Sequence, residues 1–261
     1  MVFCKTRNLT LITKLGWLLP IWVYYELGNQ ARGEEEWLPD RPDVAESAFV
    51  VSTGRFQVEM GINIGEARGE KEIGIITPFL FRYGFYKNFE LRVGGLGLIR
   101  DEGKTNFGDL DLGIKYHLLD ESTWIPAIGL IPQITLPTAS RDAGSDSVDP
   151  RFFLTFDKDL PLDFAIEWNV GFGYIDNPED SGRFFQVLYA VSLGRSLLKP
   201  LTVFAEVYGV SKVEPGEGGS INTDFGLLFR LSKNVVIDLG ADFGITNTNQ
   251  QNIFIGLSFR L

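Results

Sequence analysis

The chain ends Asn252-Ile253-Phe254-Ile255-Gly256-Leu257-Ser258-Phe259-Arg260-Leu261. Ile253, Ile255, Leu257, Phe259 and Leu261 share one phase, and Asn252, Phe254, Gly256, Ser258 and Arg260 share the other. A period of two held over ten residues is the mark of a strand with one apolar face. The preceding stretch repeats it, with Val235, Ile237, Leu239, Ala241 and Phe243 against Asp238, Gly240, Asp242 and Gly244.

Working back towards the N-terminus, the same alternation recurs in twelve segments. They span roughly 55–65, 73–83, 89–99, 108–118, 125–136, 150–157, 162–174, 184–196, 201–210, 221–231, 235–245 and 250–261. Most approach the ~9–11 residues that a tilted strand needs to cross a bilayer. Three segments, 125–136, 184–196 and 201–210, carry apolar residues on both faces. The 29 Gly and 21 Phe suit strands separated by turns.

The second face carries charge and glycine. Its charged members are Glu59, Arg82, Glu90, Arg92, Asp109, Asp111, Lys115, Glu167, Asp224, Arg230, Asp238, Asp242 and Arg260. On a soluble sandwich these would face water; in a membrane barrel they point into the lumen while the apolar face meets lipid. Connection lengths separate the two cases. Gly84–Asn88, Leu119–Trp124, Lys158–Pro161, Leu197–Pro200 and Ser232–Asn234 are tight. Glu66–Glu72, Arg100–Phe107, Pro137–Asp149, Ile175–Arg183 and Ser211–Ser220 are longer and polar, with Thr246–Asn249 a short exception. Short periplasmic turns alternating with longer external loops are the rhythm of an outer-membrane barrel. Lipid offers no partner to a free strand edge, so the sheet must close. The expected fold is all-β: a closed antiparallel transmembrane barrel of about twelve strands over 55–261, in the outer membrane and surrounded by its lipid.

Residues 1–33 read as an export signal. Lys5, Arg7 and Lys14 precede an apolar run from Leu15 to Leu27, and Ala31 and Gly33 supply small residues for cleavage. Its removal takes away four cations and one acid, moving the formal charge from −10 to −13. So acidic a chain is a poor partner for nucleic acid. The only cysteine, Cys4, lies in the signal, so the rest of the chain can form no disulfide and no thiolate metal site. Residues 34–54, proline-rich and without alternation, form a periplasmic segment that reads either as a plug of the lumen or as a flexible leader.

Several pieces carry a resemblance: Asp40-Arg41-Pro42-Asp43, Glu46-Ser47, Gly54-Arg55-Phe56-Gln57-Val58-Glu59, Phe81-Arg82-Tyr83-Gly84, Phe89-Glu90-Leu91-Arg92, Gly108-Asp109-Leu110, Gly113-Ile114-Lys115-Tyr116 and Leu136-Pro137-Thr138. In order and spacing over residues 40–260 they resemble the barrel family named for the MetA pathway of phenol degradation. The resemblance implies an outer-membrane channel or transporter. The apolar and aromatic C-terminal strand likewise resembles the signal read by the barrel-assembly machinery, with Leu261 in place of the usual final Phe.

Arg82, Glu90, Arg92, Asp109, Asp111 and Lys115 fall on the inward phase of three consecutive strands. They read either as a selectivity patch for a polar solute or as charges that neutralise one another and brace the wall. Catalytic chemistry is sparse. The single histidine, His117, faces inward without a serine partner, and a lumen carboxylate is its expected neighbour. Asp142, Ser145, Asp146 and Asp149 resemble no calcium loop in their spacing. No phosphate loop, zinc motif or nucleophile elbow appears, so neither a cofactor nor a metal is expected. Two functions remain: a channel or transporter for small solutes, hydrophobic or aromatic ones among them, through a charged, glycine-lined lumen; or a closed barrel whose external loops bind partners.

Overall fold

Residue 37 and residues 39–66, 73–101, 103–140, 143–177, 182–248 and 251–261 are described by the computed structural model. The export signal expected over 1–33 lies outside them, as do 34–36 and 38 of the segment that follows. Pro39–Leu261 is one compact unit.

Fifteen strands alternate along the chain: β1 (Phe56–Glu66), β2 (Ile73–Ile76), β3 (Phe79–Tyr86), β4 (Phe89–Gly95), β5 (Leu98–Asp101), β6 (Lys104–Phe107) and β7 (Leu110–Leu119). These are followed by β8 (Ala127–Leu136), β9 (Asp149–Leu160), β10 (Phe164–Asp176), β11 (Arg183–Leu198) and β12 (Leu201–Val210). The last three are β13 (Ser220–Ser232), β14 (Val235–Thr246) and β15 (Gln251–Arg260). All pair with antiparallel neighbours, and β15 returns to pair β1 from Gln57↔Arg260 to Glu66↔Gln251. Closure holds to the last residue: Leu261 N–H donates to Phe56 O at 2.8 Å. The sheet thereby closes on itself, as lipid requires, while β6 pairs β5 alone at the end of the strand order.

Twelve staves account for the fifteen strands, because three staves are each broken in two. Thr77–Pro78 separates β2 from β3, Leu96–Gly97 separates β4 from β5, and Gly108–Asp109 separates β6 from β7. The alternation predicts unbroken strands at the first two of these breaks, over 73–83 and 89–99. Pro78 brings no N–H to the ladder, and Gly97 sits at φ +60°, where a Cβ would lie 2.3 Å from Thr77 O. Across the break Leu98 N–H donates instead to the Thr77 hydroxyl at 2.8 Å. The segment Arg100–Phe107, expected as a loop, is largely the β5–β6 hairpin, with Arg100↔Thr105 in register. β9 also runs three residues beyond the expected 157, so the turn shrinks to 161–163.

The short–long rhythm of connections holds in part, with 120–126 longer than the tight turn expected there and 247–250 the short exception on the opposite side. Turns at 87–88, 161–163, 199–200 and 233–234 lie at the end that carries the chain's last strand terminus; 137–148 and 211–219 lie at the other. We take the short-turn end as periplasmic.

Burial is inverted relative to a water-soluble domain. On β14 Leu239 is 50% exposed and the neighbouring Asp238 is 1% exposed. Phe225, Val191, Ile253 and Ile255 are exposed, while Glu59, Glu90, Lys115, Glu206 and Asp224 are buried. Charge inside and large apolar side chains outside is stable only where hydrocarbon surrounds the barrel. Outer-face pairs such as Phe156 and Trp168, register partners stacked at 5.1 Å, tie adjacent staves together.

Candidate functional site

Residues 39–54 run among the inward side chains of the barrel. The segment has no ladder of its own, so each buried N–H needs an acceptor or costs about 1–3 kcal/mol. Pro39 and Pro42 bring none. Seven of the others are met by acidic and amide side chains from different staves. Glu59 on β1 accepts from Asp40 and Arg41, at 3.3 and 2.9 Å. Glu206 on β12 accepts from Val44 and Ala45, both at 2.7 Å. Asn169 on β10 accepts from Glu46 N and returns its amide to Glu46 O at 2.8 Å. Asp157 on β9 takes Ala48 N and Glu90 on β4 takes Val51 N. Gly54 N–H then donates to Gly84 O, leading the chain into β1.

A buried ion network lies on the wall formed by β1, β3, β4 and β7. Asp40 is its centre, 2.6 Å from Arg92 Nη1, 2.7 Å from Lys115 Nζ and 3.1 Å from Arg82 Nη1. Arg82 also pairs with Glu90 at 2.7 Å and Glu59 at 3.1 Å, and Arg92 with Glu90 at 2.9 Å. Arg92 further bonds Glu46. Burial by itself would raise the Asp40 carboxyl, but Arg82, Lys115 and Arg92 hold it well below the usual carboxylate range. For Glu46 burial wins over Arg92, and its carboxyl is pushed up to about 7. On β14, separated from β1 by β15, Asp238 pairs with Arg41 at 3.2 Å.

Residues 39–261 match the family model described as "Putative MetA-pathway of phenol degradation". The chain belongs to that family. Its fold is also that of solved outer-membrane barrels. The NanC porin shares 10% identity at a TM-score of 0.58, over 79% of this chain and 100% of that one. An outer membrane channel from Pseudomonas putida F1 shares 13% at 0.59, over 85% and 99%. The KdgM porin shares 12% at 0.53, over 78% and 98%. No curated protein matches the sequence. With its closed sheet and outward apolar belt, this member of the MetA-pathway family is an outer-membrane barrel.

Of the residues singled out in this family member's sequence, Glu59, Arg82, Glu90, Arg92 and Lys115 come together in the ion network. Asp238 pairs with Arg41, and Asp242 accepts from Asn252 at 3.0 Å. Glu167 and Asp224 stand in register with Asp157 and Glu206. Asp111 accepts from Thr135 Oγ1 at 2.5 Å. Arg230 and Arg260 lie towards the periplasmic ends of β13 and β15. Asp109, expected on an inward strand position, instead sits in the break before β7 and accepts from Thr138, Ala139 and Ser145 of the external loop. Burial raises its carboxyl, yet those N–H donors bring it below its ordinary value.

His117 also differs from expectation. Its Nδ1 contacts Ala48 O at 2.9 Å, and Nε2 meets Asp120 of a periplasmic turn at 2.8 Å rather than a lumen carboxylate. Among the loop acids, Asp142 lies outside the described residues, Ser145 bonds Asp109, and Asp149 accepts from Arg183 and Asp176 N.

Glu206, Asp157 and Asn169 were not singled out. The only signal for Glu206 is a lone acid between Phe204 and Tyr208 on one phase of a strand that is apolar on both faces. Towards the external loops, on either side of the segment, are two cavities. One, of about 170 Å³, is lined by Glu46, Arg92, Gly94, Asp111, Gly113 and Gln133 among others. The other, of about 130 Å³, is lined by Val44, Phe153, Gly171, Leu188, Tyr208 and Asn222 among others.

Proposed function

We propose that the chain is a passive outer-membrane channel for small solutes, with residues 39–54 acting as a plug that restricts the bore at its periplasmic half. The observation that carries this reading is the clamp: seven backbone N–H groups of the segment are met by side chains of five staves. A closed barrel with a polar, partly open interior supplies the path, and the cavity beside Val44 supplies apolar contact for hydrophobic or aromatic solutes. Gly94, Gly113 and Gly171 support the idea of a glycine-lined approach. A non-catalytic role accompanies the proposal, since both nitrogens of His117 are committed to Ala48 O and Asp120. The C-terminal strand β15 is the element proposed to engage the barrel-assembly machinery.

Planar-bilayer recording and liposome swelling test this. The full chain is expected to give small, infrequent conductance steps, and removal of residues 39–54 to enlarge them. Silence in both forms, with no uptake of small aromatic solutes, sinks the channel reading. It would favour the second one, a closed barrel whose external loops bind partners. That alternative draws support from the same segment, which reaches staves all around the lumen.

A further inference from the structure

On the wall opposite the ion network, the strand register sets five carboxylates in one row. Asp157 on β9 is opposite Glu167 on β10, which is opposite Ser192 on β11. Ser192 is opposite Glu206 on β12, Glu206 opposite Asp224 on β13, and Asp224 opposite Asp242 on β14. The row ends at Asn252 on β15. Rows perpendicular to tilted strands climb a barrel wall. Asp157 accordingly lies three residues from the periplasmic end of β9, and Asp242 four from the external end of β14. The climb is on the order of 10 Å for staves tilted by ~40°.

Like charges directly opposite on neighbouring strands repel, and a buried carboxylate needs a counter-charge. The hydrogen-bond donors that meet this row are neutral: Ala48 N–H at Asp157, Val44 and Ala45 N–H at Glu206, and the Asn252 amide at Asp242; Lys115 of the ion network is the cation whose charge reaches Asp157 and Glu167, at the lower end of the row. Asp224 is 2% exposed, and its Oδ1 accepts no hydrogen bond. One inward position above it, Asn222 is 7% exposed and its Oδ1 is also without a donor. Among the described residues, the inward face of β9–β14 carries two Lys or Arg residues, Arg151 six residues above Asp157 and Arg230 six below Asp224, each ~20 Å away along its strand.

Resting on the channel reading, we infer that the row Asp157–Glu167–Glu206–Asp224–Asp242 is a cation ladder that makes the bore selective for cations over anions. No three acidic or histidine side chains among the described residues converge to enclose a bare metal ion. The cations suited to it are therefore hydrated monovalent ions or protonated amines, held loosely enough to leave.

The reversal potential across a bilayer under a potassium chloride gradient tests this. The full chain is expected to pass potassium in preference to chloride, and the Asp224→Asn, Asp242→Asn double variant to lower that permeability ratio several-fold. Neither residue touches residues 39–54 through a hydrogen bond described above. A preference for chloride, or a ratio unchanged in the variant, overturns the inference. Crystals soaked in rubidium chloride supply a readout independent of conduction. Anomalous density beside Asp224, lost in Asp224→Asn, supports the ladder, and its absence overturns it whether or not the protein conducts. Rubidium on the row of a silent protein would overturn the channel reading alone.

Discussion

The two walls of the lumen hold the same segment by different means. On β1, β3, β4 and β7, Arg82, Arg92 and Lys115 stand at ion-pair distance from Glu59, Glu90 and Asp40, so the acids are neutralised by cations. On β9, β10 and β12, Asp157, Asn169 and Glu206 meet the segment through backbone groups of residues 44–48, with no cation of the segment paired to them by a described ion pair. The first wall binds the segment by closing a charge network, and its worth lies in completeness, since an ion left over in a buried network is costly. The second binds it by satisfying donors that an irregular chain cannot satisfy itself.

The largest effect is expected from Asp40→Ala, which leaves Arg82, Arg92 and Lys115 short of the acid they share. Loss of one partner of a buried ion set costs about 3–5 kcal/mol. The midpoint of heat-dependent gel mobility should fall clearly and conductance should rise. An unmoved midpoint would mean that the charged wall does not depend on Asp40. Glu206→Gln comes next, because an amide NH2 in place of one carboxyl oxygen leaves Val44 or Ala45 N–H without its acceptor, at about 1–3 kcal/mol for a buried donor left unmet. Residues 43–46 should become open to protease while the barrel stays folded. If Glu206→Gln instead weakens the barrel as much as Asp40→Ala, the two walls do not differ as argued.

A pH dependence sharpens the contrast within the segment itself. The ordinary carboxyl value for Glu46 is 4.5, and burial raises it to about 7 when the segment is docked. Docking thus favours the protonated form. Its contribution is fully present below pH 4.5 and is lost as pH rises through about 7. Open events in bilayer recordings should become more frequent across that window, and Glu46→Gln should flatten the dependence. A flat profile in the unmodified chain would count against it. Asp40, held low by its three cations, stays charged throughout the same window.

The smallest effect is expected at Asp109→Ala. It removes acceptors from the 137–148 loop at the rim, at about 1 kcal/mol for each neutral bond lost after exchange with water. Protease should cut that loop faster while ion selectivity and the heat-mobility midpoint stay put. A changed selectivity would place Asp109 in the conduction path after all.

Much of the fold was legible because alternation is local. β15 shows it within ten residues, with Ile253, Ile255 and Leu257 exposed and Phe254, Gly256 and Ser258 buried. The same phase put Glu90, Arg92 and Lys115 on the inward side of β4 and β7. It failed where backbone chemistry interrupts the period, at Pro78 and Gly97. It also missed Glu206, because Phe204 and Tyr208 face inward beside it, so hydrophobicity does not alternate there. Asp157 escaped notice because β9 continues past the point where its apolar phase fades.

From the sequence alone came the twelve staves, the two faces, the rhythm of connections and the site at which charge must collect, all consequences of a two-residue repeat. Tertiary structure decided which charges meet. Arg41 and Asp238 are 197 positions apart, and Val44 and Glu206 are 162 apart. Residues 39–54 have no period to reveal which way each N–H points. Their partners are chosen only when the sheet closes and brings distant staves to face one another across the lumen.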